Sequence, residues 1–464
     1  MVSTSRILGA GVIIAIAISI LSTVYMILAV KSLGESIDSV RSDINSLSQS
    51  ISQDISRISS TVENSLASMG YLNTSIRSIE ANLIDLNGSV ANINRSIASL
   101  SEILSASSEP RVSVKYARLF QVTYDGPVKI VRDAEGQTIL LIPKSLSSQK
   151  LLTDMYISKY SPQHVIYTPV ERVILMSATQ VAMLLRLEEE CRIDLINETV
   201  LGIMWGKMYT WYIPRIASML ERGLLKDFGW ADNPNVEEMV ASKPDLVVIY
   251  TYAGSPVFRS LKAAGLPVVV DNEYLEQSLL GRFEWIKFLA VFYNLDGCAE
   301  SIFNRVENLI YSLRSSVVNA APTETQRPMI AWFNVFRGRI YAASPSSYVV
   351  DAINLAGGRY AFIDIPYGAV SQEIIIARSS SIDVLIYSTS KAYGPKSIEE
   401  LVKAVPFTAD LKAVKEKKVY VFAPTYWQLG TAYPEDILRD LMKILYPGLQ
   451  DLRDWSLKFF EKLE

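Results

Sequence analysis

One uncharged apolar run near the N-terminus constrains this chain more than any other feature. Residues 7–30 contain no charged side chain, and as a helix they would extend about 36 Å at ~1.5 Å per residue, enough to cross a bilayer with some tilt. The apolar part of a cleaved signal peptide is shorter, roughly 7–15 residues. We therefore predict a single-pass signal-anchor over 7–30, with residues 1–6 in the cytoplasm and everything after the anchor extracellular. No cysteine lies near this segment, so a lipid-modified cysteine is not expected.

A helical repeat follows the apolar run. Between Ile37 and Leu104 hydrophobic residues recur at steps of three or four positions, the spacing of coiled-coil core residues. The positions between them are mostly Ser, Asn and Asp, which form isolated helices poorly, so partner helices must supply the stability. The pattern predicts a coiled-coil stalk over 35–105 and a homo-oligomer, with dimer and trimer both open. Candidate glycosylation sequons lie at Asn73, Asn87, Asn94 and Asn197.

Composition excludes several classes of function. Lys and Arg number 45 against 48 Asp and Glu, so the chain has no general basic field to hold nucleic acid. The one histidine, His164, argues against a His-rich metal centre, and two cysteines cannot form a Cys₄ zinc site. Whether Cys191 and Cys298 pair is left open. Phosphate-loop, nucleophile-elbow and zinc-protease motifs are missing from the sequence, so we expect no enzyme, no cofactor and no metal bound by protein atoms.

The remainder of the sequence alternates between strand-like and helix-like segments, which predicts an α/β fold. The stretch 112–143 reads as short strands with hairpin turns. Continuous Val/Ile/Leu runs separated by helices indicate parallel sheets buried on both faces. The predicted strands are 172–177, 199–204, 245–250, 266–271, 328–334, 383–388 and 418–424, and the predicted helices include 235–242, 347–356, 371–377 and 397–404. The run 279–317 reads as one long helix with a weak point at 294–297, and the last helices are expected from Pro434 to the C-terminus. The predicted parts are a first lobe with N-terminal β-hairpins over 111–278, a linking helix over 279–317 and a second lobe over 327–464.

The carboxyl ends of the predicted strands are rich in aromatic residues. Ligands of open α/β sheets lie beyond these ends, so two lobes joined by a helix suggest a ligand cleft between them. The aromatic side chains suggest a large, partly flat or apolar ligand, and an arginine there could meet its acidic groups. The candidate ligand-binding residues are Trp205, Tyr209, Tyr252, Tyr274, Trp332, Arg337, Tyr367 and Trp427.

Four segments resemble the helix-linked (class III) substrate-binding proteins of ABC importers for iron–siderophore, haem and cobalamin-type ligands. They are NPNVEEMVASKPDLVVIY (233–250), LLGRFEWIKFLAVFYN (279–294), INLAGGRYAF (353–362) and YGAVSQEIIIARSSSIDVLIY (367–387), and the resemblance covers roughly 112–460. It implies two Rossmann-like lobes, no catalysis, capture of a metal chelate between the lobes, and delivery to an ABC permease. Docking through one acidic residue on each lobe is also implied, at Glu237 and Glu373, with Glu238 as a competitor of Glu237.

The stalk departs from this family's usual pattern. About 70 helical residues would extend about 105 Å at ~1.5 Å per residue, far enough to hold an upright head away from a permease in the same membrane. The alternative prediction is therefore a structural, oligomeric cell-surface protein that reuses the binding-protein fold on a stalk. It predicts a filled cleft and no ligand.

Overall fold

The computed structural model describes residues 4–65, 78–91, 93–94, 110–320 and 323–464, and the chain divides into two compact units, Met1–Ser108 and Glu109–Glu464. In the first unit, helix α1 (Thr4–Ser65) runs without interruption through the predicted anchor and the first part of the predicted stalk. Within the described residues one helix is long and apolar enough to cross a membrane, over Ile16–Ser59.

A second helix, α2, is described over 78–91 and 93–94. Its predicted core positions, such as Leu83 and Leu86, are half-buried, while the positions between them are mostly exposed. The sequon residues Asn87 and Asn94 are exposed on this helix, and Asn73 lies outside the described residues. A single chain does not test the coiled coil, which stays a prediction.

The second unit, which we call the head, contains three main β-sheets with helices packed against them. Its strands are β1 (Gln121–Asp125), β2 (Val128–Arg132), β3 (Thr138–Pro143), β4 (His164–Thr168), β5 (Val173–Leu175), β6 (Val200–Ile203), β7 (Lys226–Asp227), β8 (Gly229–Trp230), β9 (Asn233–Pro234), β10 (Leu246–Ile249), β11 (Val268–Val270), β12 (Met329–Phe336), β13 (Arg339–Ala342), β14 (Arg359–Tyr360), β15 (Val384–Ser390), β16 (Val419–Phe422) and β17 (Phe460–Lys462).

The α-helices of the head lie between these strands. They are α3 (Lys150–Tyr160), α4 (Ala178–Cys191), α5 (Leu195–Thr199), α6 (Pro214–Glu221), α7 (Val236–Ala241), α8 (Val257–Ala263), α9 (Leu279–Phe283), α10 (Trp285–Phe292), α11 (Asp296–Ala320), α12 (Tyr348–Leu355), α13 (Gln372–Ala377), α14 (Ile398–Ala404), α15 (Lys412–Lys415), α16 (Tyr426–Leu429) and α17 (Pro434–Leu445).

The two larger sheets lie in the parts of the chain predicted as lobes, and we keep the names first lobe (111–278) and second lobe (327–464) for these parts. The first-lobe sheet has the order β11-β10-β5-β6-β7 with every pair parallel, and a small sheet of order β1-β2-β3-β4 precedes it. The second-lobe sheet has the order β13-β12-β15-β16-β17, with parallel β12, β15 and β16 in the middle and antiparallel strands at both edges. Strand β10 is buried along its whole length, as expected for a parallel strand covered on both faces.

The prediction of a strand from residue 112 is wrong, because the sheet begins only at Gln121. The preceding backbone instead binds two buried carboxylates. Glu284 accepts hydrogen bonds from the N–H groups of residues 115–117, and Glu276 accepts those of residues 118 and 119. Lys287, fully buried, lies 3.0 Å from Glu284 and neutralises it. Because these backbone donors are already satisfied, the segment needs no neighbouring strand.

The single linking helix predicted over 279–317 is three helices, α9, α10 and α11. The main break lies between α10 and α11, at the predicted weak point, where Asn294 adopts a left-handed conformation with φ +58°. Asparagine tolerates this conformation better than most residues. The side chain of Lys129 donates to Asn294 Oδ1 at 3.0 Å and ion-pairs with Asp296, which fixes the break against β2.

The prediction that helices run from Pro434 to the C-terminus is also only partly right. Helix α17 ends at Leu445, and the chain finishes as strand β17, antiparallel to β16. Phe460 of this strand packs at 5.6 Å from Trp332 and 6.0 Å from Phe422, measured between ring centroids. Burial of that aromatic group favours an edge strand over a further helix.

A disulfide bond joins Cys191 and Cys298, whose Cα atoms are 6.0 Å apart. It connects the end of α4 in the first lobe to the start of α11. Beside it, Glu190 lies 3.1 Å from Arg186 and 2.7 Å from Arg305, and Arg186 also pairs with Glu435 of the second lobe at 2.9 Å. Covalent and ionic links on this side therefore hold the first lobe to the linking helix α11 and to the second lobe.

Candidate functional site

Gln428 makes one of the contacts between the first and second lobes, and we call the predicted ligand site beside it the cleft. This fully buried side chain accepts a hydrogen bond from the N–H of Tyr212 at 2.9 Å and donates to the carbonyl of Thr210 at 2.8 Å. Both partners lie in the first lobe, between β6 and α6, while Gln428 lies on α16 of the second. A polar group so deeply buried is satisfied only when the lobes touch here.

The floor of the cleft is a small pocket of about 30 Å³, room for about one water molecule. Arg282 of α9 lies at its base, with two guanidinium nitrogens donating to Glu273 at 2.8 and 2.6 Å and one to Thr431 at 2.9 Å. Its guanidinium stands 4.1 Å from the ring centroid of Tyr348. The residues lining the pocket are Thr179, Leu279, Arg282, Tyr348, Tyr426, Trp427, Gly430, Thr431 and Ile437.

At the carboxyl end of β6, the backbone holds Trp205 in an uncommon conformation. Its φ is +68°, in the left-handed region that a bulky residue rarely adopts. The carboxylate of Asp227 accepts hydrogen bonds from the N–H groups of Gly206, Lys207 and Gly229, which fastens the turn. A Cβ at Gly206 would lie 2.8 Å from Asp227, so this turn requires glycine. Strained backbone of this kind persists where neighbouring contacts impose it, often at functional sites.

The strained turn places the indole of Trp205 in a group of aromatic rings. Its centroid lies 3.8 Å from that of Trp230 and 6.2 Å from that of Tyr209. Asp232 accepts hydrogen bonds from Trp230 Nε1 at 3.2 Å and from the hydroxyl of Tyr252 at 2.9 Å. We call the residues Trp205, Tyr209, Trp230 and Tyr252 the first-lobe aromatic face.

Sequence reasoning missed Trp230 and Asp232. Both belong to the small β8–β9 hairpin, whose strands have two residues each. Such strands carry no hydrophobic periodicity, so no strand end was predicted there. The turn-forming residues in Trp-Ala-Asp-Asn-Pro were the available signal.

Tyr274 lies at the same end of the first-lobe sheet. Its hydroxyl donates to the carbonyl of Thr251 at 2.6 Å, and its ring meets Tyr250 edge-on at 6.3 Å. The hydroxyl of Thr251 donates to Glu135 at 2.7 Å. Burial, with a smaller contribution from the charge of Asp232, raises the pKa of Tyr250 to about 12. The tyrosines here are therefore neutral hydrogen-bonding groups at ordinary pH.

The second lobe contributes its own aromatic rings at the ends of β12 and β15. They border a depression of about 390 Å³, lined by Asn334, Val335, Phe336, Tyr387, Thr389, Tyr393, Gly394, Pro395, Glu400 and Ala404. Arg337 occupies the β12–β13 turn with φ +51°, and its guanidinium lies 5.1 Å from the ring centroid of Phe336. Arg337 is exposed and stays a predicted ligand contact.

Two predicted ligand contacts are not placed as expected. Trp332 is buried, 4% exposed, with its ring 5.7 Å from that of Phe422. Ala331 and Phe333 beside it are buried as well, so this part of β12 is covered on both faces and Trp332 packs in the core. Tyr367 is 76% exposed in a loop, and in the part of the chain that the structure describes it makes no ring contact or hydrogen bond with the other candidates. Trp427, 55% exposed, does line the floor of the cleft.

The two predicted docking residues occupy matching positions. Glu237 and Glu373 are each exposed at the second residue of a six-residue helix, α7 and α13, and each helix precedes a central strand of its lobe. The competitor Glu238 is engaged by Asn235 at 3.1 Å and by Lys226 at 3.7 Å. A hydrogen bond with Ser371 lowers the pKa of Glu373 below its ordinary value, so this carboxylate is ionised at neutral pH.

Two other predictions concern glycosylation and metal binding. The sequon residue Asn197 is exposed, and its side-chain nitrogen donates to Asp194 at 2.6 Å. In the described part of the chain, no group of three or more His, Cys, Asp or Glu residues is arranged to hold a metal ion.

Comparison with known proteins finds a match to the family described as periplasmic binding proteins over residues 211–426. An uncharacterised lipoprotein of Methanocaldococcus jannaschii is 31% identical over 329 residues, which cover 69% of this chain and 75% of the relative. A second uncharacterised lipoprotein of that organism is 25% identical over 386 residues, covering 78% and 91%. Among solved structures, a periplasmic haem-binding protein from Pseudomonas aeruginosa is similar, with 18% identity, a TM-score of 0.48, and coverage of 61% of this chain and 94% of that one.

Proposed function

This chain belongs to the periplasmic binding protein family, and we propose that it is a membrane-tethered extracellular solute-binding protein that delivers its ligand to an ABC permease. The ligand would be a metal chelate of the ferric siderophore, haem or cobalamin class. The observation that carries the proposal is the aromatic character of both lobes at their strand ends. Trp205 and Trp230 of the first lobe are in ring contact, and Trp427 of the second lobe lines a pocket with Arg282 at its base.

The character of the cleft supports a large, partly flat ligand. Trp205, Trp230 and Trp427 offer indole rings from both lobes, and aromatic faces bind flat or apolar groups with little loss of conformational entropy. His164 lies on β4, in the small N-terminal sheet, so we do not expect it to ligate a haem iron. The metal would then arrive inside the chelate.

The tether and the location rest on two features. Helix α1 contains a segment long and apolar enough to cross a membrane. The head carries a disulfide bond, and such bonds persist mainly in oxidising surroundings outside the cytoplasm. Both support an extracellular head on an N-terminal anchor.

Docking to the permease is proposed through Glu237 and Glu373. Their equivalent places in the two lobes would let one permease contact both, and exposed ionised carboxylates suit charge-assisted pairing with arginines.

Ligand binding is tested with the full chain in detergent micelles. Ferric trihydroxamates, haem and cobalamin are titrated while tryptophan fluorescence and the thermal midpoint Tm are followed. We expect one class to raise Tm with concentration. Trp205→Ala is expected to weaken the binding of that class, whereas the control Tyr167→Ala, at a partly exposed aromatic residue on β4, is expected to leave the affinity unchanged. A folded chain that responds to none of these ligands would contradict the proposal and favour the structural alternative.

Docking is tested by charge reversal. In cells that take up the identified ligand, Glu237→Lys and Glu373→Lys are expected to abolish uptake without changing the affinity of the purified chain for that ligand. Glu399→Lys is the matched control, because Glu399 is also an exposed glutamate at the second residue of a capped helix, α14. Equal uptake in all three variants would refute docking through these residues.

A further inference from the structure

We propose that the ligand of this cleft carries a positively charged group, and that Asp232 and the first-lobe aromatic face receive it. The inference rests on the proposed function, since it concerns the same ligand, and it adds the sign of the ligand's charge. It follows from three features of the first-lobe side of the cleft.

The first feature is the unpaired charge of Asp232. Its exposed carboxylate accepts hydrogen bonds from two neutral donors, Trp230 Nε1 and the hydroxyl of Tyr252. Within the described ranges, no lysine or arginine nitrogen lies within 4.0 Å of it. By contrast, other acids of the head have basic partners, as Glu273 has Arg282 and Glu435 has Arg186. A carboxylate can accept about four hydrogen bonds. Asp232 is therefore held in place by the protein while its negative charge and further acceptor capacity remain for a ligand.

The second feature is the availability of the ring faces around that carboxylate. Trp230 is 37% exposed and Tyr252 45% exposed. Elsewhere in the head, basic side chains cover aromatic rings, as Arg186 covers Tyr433 and Arg282 covers Tyr348. Among the residues that the structure describes, no cation lies over a ring of the first-lobe aromatic face. Indole is the aromatic ring that attracts cations best, and a neighbouring carboxylate adds a direct charge interaction.

The third feature is the sign of the surrounding charge. Glu135 and Asp227 lie at the same end of the first-lobe sheet. Glu135 accepts a hydrogen bond from the hydroxyl of Thr251, and the hydrogen bonds that Asp227 accepts all come from backbone N–H groups. Neither forms an ion pair with a basic residue in the described part of the chain. Three carboxylates without basic partners give this wall of the cleft a negative potential, which concentrates cations and repels anions.

A ligand that is uncharged on this side would use the rings but not the carboxylates. The inference is therefore tested with probes that have the same shape and differ only in charge. Choline and 3,3-dimethylbutan-1-ol form such a pair, because a quaternary nitrogen in the first replaces a carbon atom in the second. Each is titrated into the full chain in detergent micelles, with tryptophan fluorescence and calorimetry as readouts.

We expect choline to bind at least about five-fold more tightly than its neutral isostere, the size of effect that a cation–π site with a carboxylate supplies. Asp232→Asn is expected to make the two affinities equal, whereas the control Asp410→Asn, an exposed aspartate of the second lobe, should keep the preference. Equal affinities in the unchanged chain, no choline binding up to tens of millimolar, or a preference that survives Asp232→Asn would each overturn the inference.

A second pair separates this inference from the proposed function. A ferric trihydroxamate with a pendant primary ammonium is compared with the same chelate after acetylation of that amine. Tighter binding of the ammonium form supports both ideas, and equal binding of the two overturns the charge inference while the proposed function stands. If neither chelate binds but choline is preferred, the chelate class is wrong and the inference about charge holds.

Discussion

Asp440 is a fully buried carboxylate on α17 that should make the stability of the head depend on pH. It accepts hydrogen bonds from Trp455 Nε1 at 2.7 Å and from the N–H groups of Lys458 and Phe459 at 2.9 and 2.6 Å. Burial nevertheless raises its pKa to about 6, above the ordinary value of 3.8. Between these two pH values the folded state holds more protons than the unfolded state. The contribution of Asp440 to the free energy of unfolding therefore falls as pH rises through this window.

The variant Asp440→Asn should lack this pH dependence. At each pH we take the free energy of unfolding of Asp440→Asn minus that of the unchanged chain. We expect this difference to rise by up to about 3 kcal/mol between pH 4 and 6, since one pKa unit is ~1.4 kcal/mol. Urea unfolding at half-unit pH steps measures the difference, and the exposed Asp410→Asn should show no such trend. A difference between Asp440→Asn and the unchanged chain that stays constant with pH would contradict the assignment.

Trp332 and Trp427 offer a contrast between a core tryptophan and a cleft tryptophan. Trp332→Ala removes a 4% exposed indole packed against Phe422 and Phe460, so it should lower the free energy of unfolding by about 3–5 kcal/mol. Trp427→Ala removes a side chain that is 55% exposed and should cost much less. Guanidinium unfolding compares the two, and similar losses would show that the burial of Trp332 contributes little.

At this scale the sequence could identify residues at strand ends but not always which way they face. Trp205, Tyr209, Tyr252 and Tyr274 follow strands whose ends were predicted to within two residues, and all four lie at the first-lobe end of the cleft. Trp332 was misplaced because β12 is covered on both faces from Ile330 to Phe333, so a residue near the predicted strand end still packs in the core. Trp230 and Asp232 were missed because their hairpin forms only in the context of β6 and its strained turn.

Among the elements, the disulfide between α4 and α11 should contribute strongly to stability. Cys191 and Cys298 are 107 residues apart in sequence, and a cross-link that closes so long a loop restricts the unfolded chain by up to about 4–5 kcal/mol. We expect the double variant Cys191→Ala/Cys298→Ala to lose about 2–5 kcal/mol of unfolding free energy.

Reduction provides the control for this prediction. Dithiothreitol should destabilise the unchanged chain by an amount similar to the double substitution and should leave the double variant as it was. If dithiothreitol affects both equally, the loss does not come from the disulfide bond.

Elements with a strong local pattern could be predicted, whereas those made by long-range contacts could not. Helices α7, α12, α13 and α14 begin within one residue of their predicted starts, because capping residues such as Ser371 and Ser397 mark them locally. The segment 112–119 has the composition of a strand but binds Glu284 and Glu276, more than 150 residues away. No local pattern could reveal partners so distant in sequence.

For the whole molecule, we expect the full chain to be a homo-oligomer held by its stalk. Helix α1 leaves apolar core positions uncovered, including Val40 at 44% and Leu47 at 51% exposure, and burial of such a stripe drives helix association. Light scattering in detergent should therefore give the mass of two or three chains. The variant Ile44→Asp/Leu47→Asp should be monomeric, while Ser46→Asp/Ser50→Asp, on other positions of the same helix, should not. A monomeric unchanged chain would refute the coiled coil.

The division of the head's strands between two larger sheets could be predicted from the order of its strands and helices, while the two lobes themselves stay a prediction. Strands of the first-lobe sheet lie within 173–270 and those of the second within 329–462, inside the predicted lobes. The contact across the cleft could not be predicted, because Gln428 and its partners at residues 210 and 212 are ordinary polar groups until the fold brings them together.

The way in which the head begins has a mechanical consequence. Ser113 bonds through its N–H to Glu300 of α11 and through its carbonyl to Lys287 of α10, and residues 115–117 bond to Glu284. Val112, just ahead of them, also donates its N–H to the hydroxyl of Tyr124 on β1 at 2.9 Å. A pull on this end of the head therefore loads attachments to α10, α11 and β1 in parallel, and no single one of them bears the whole force.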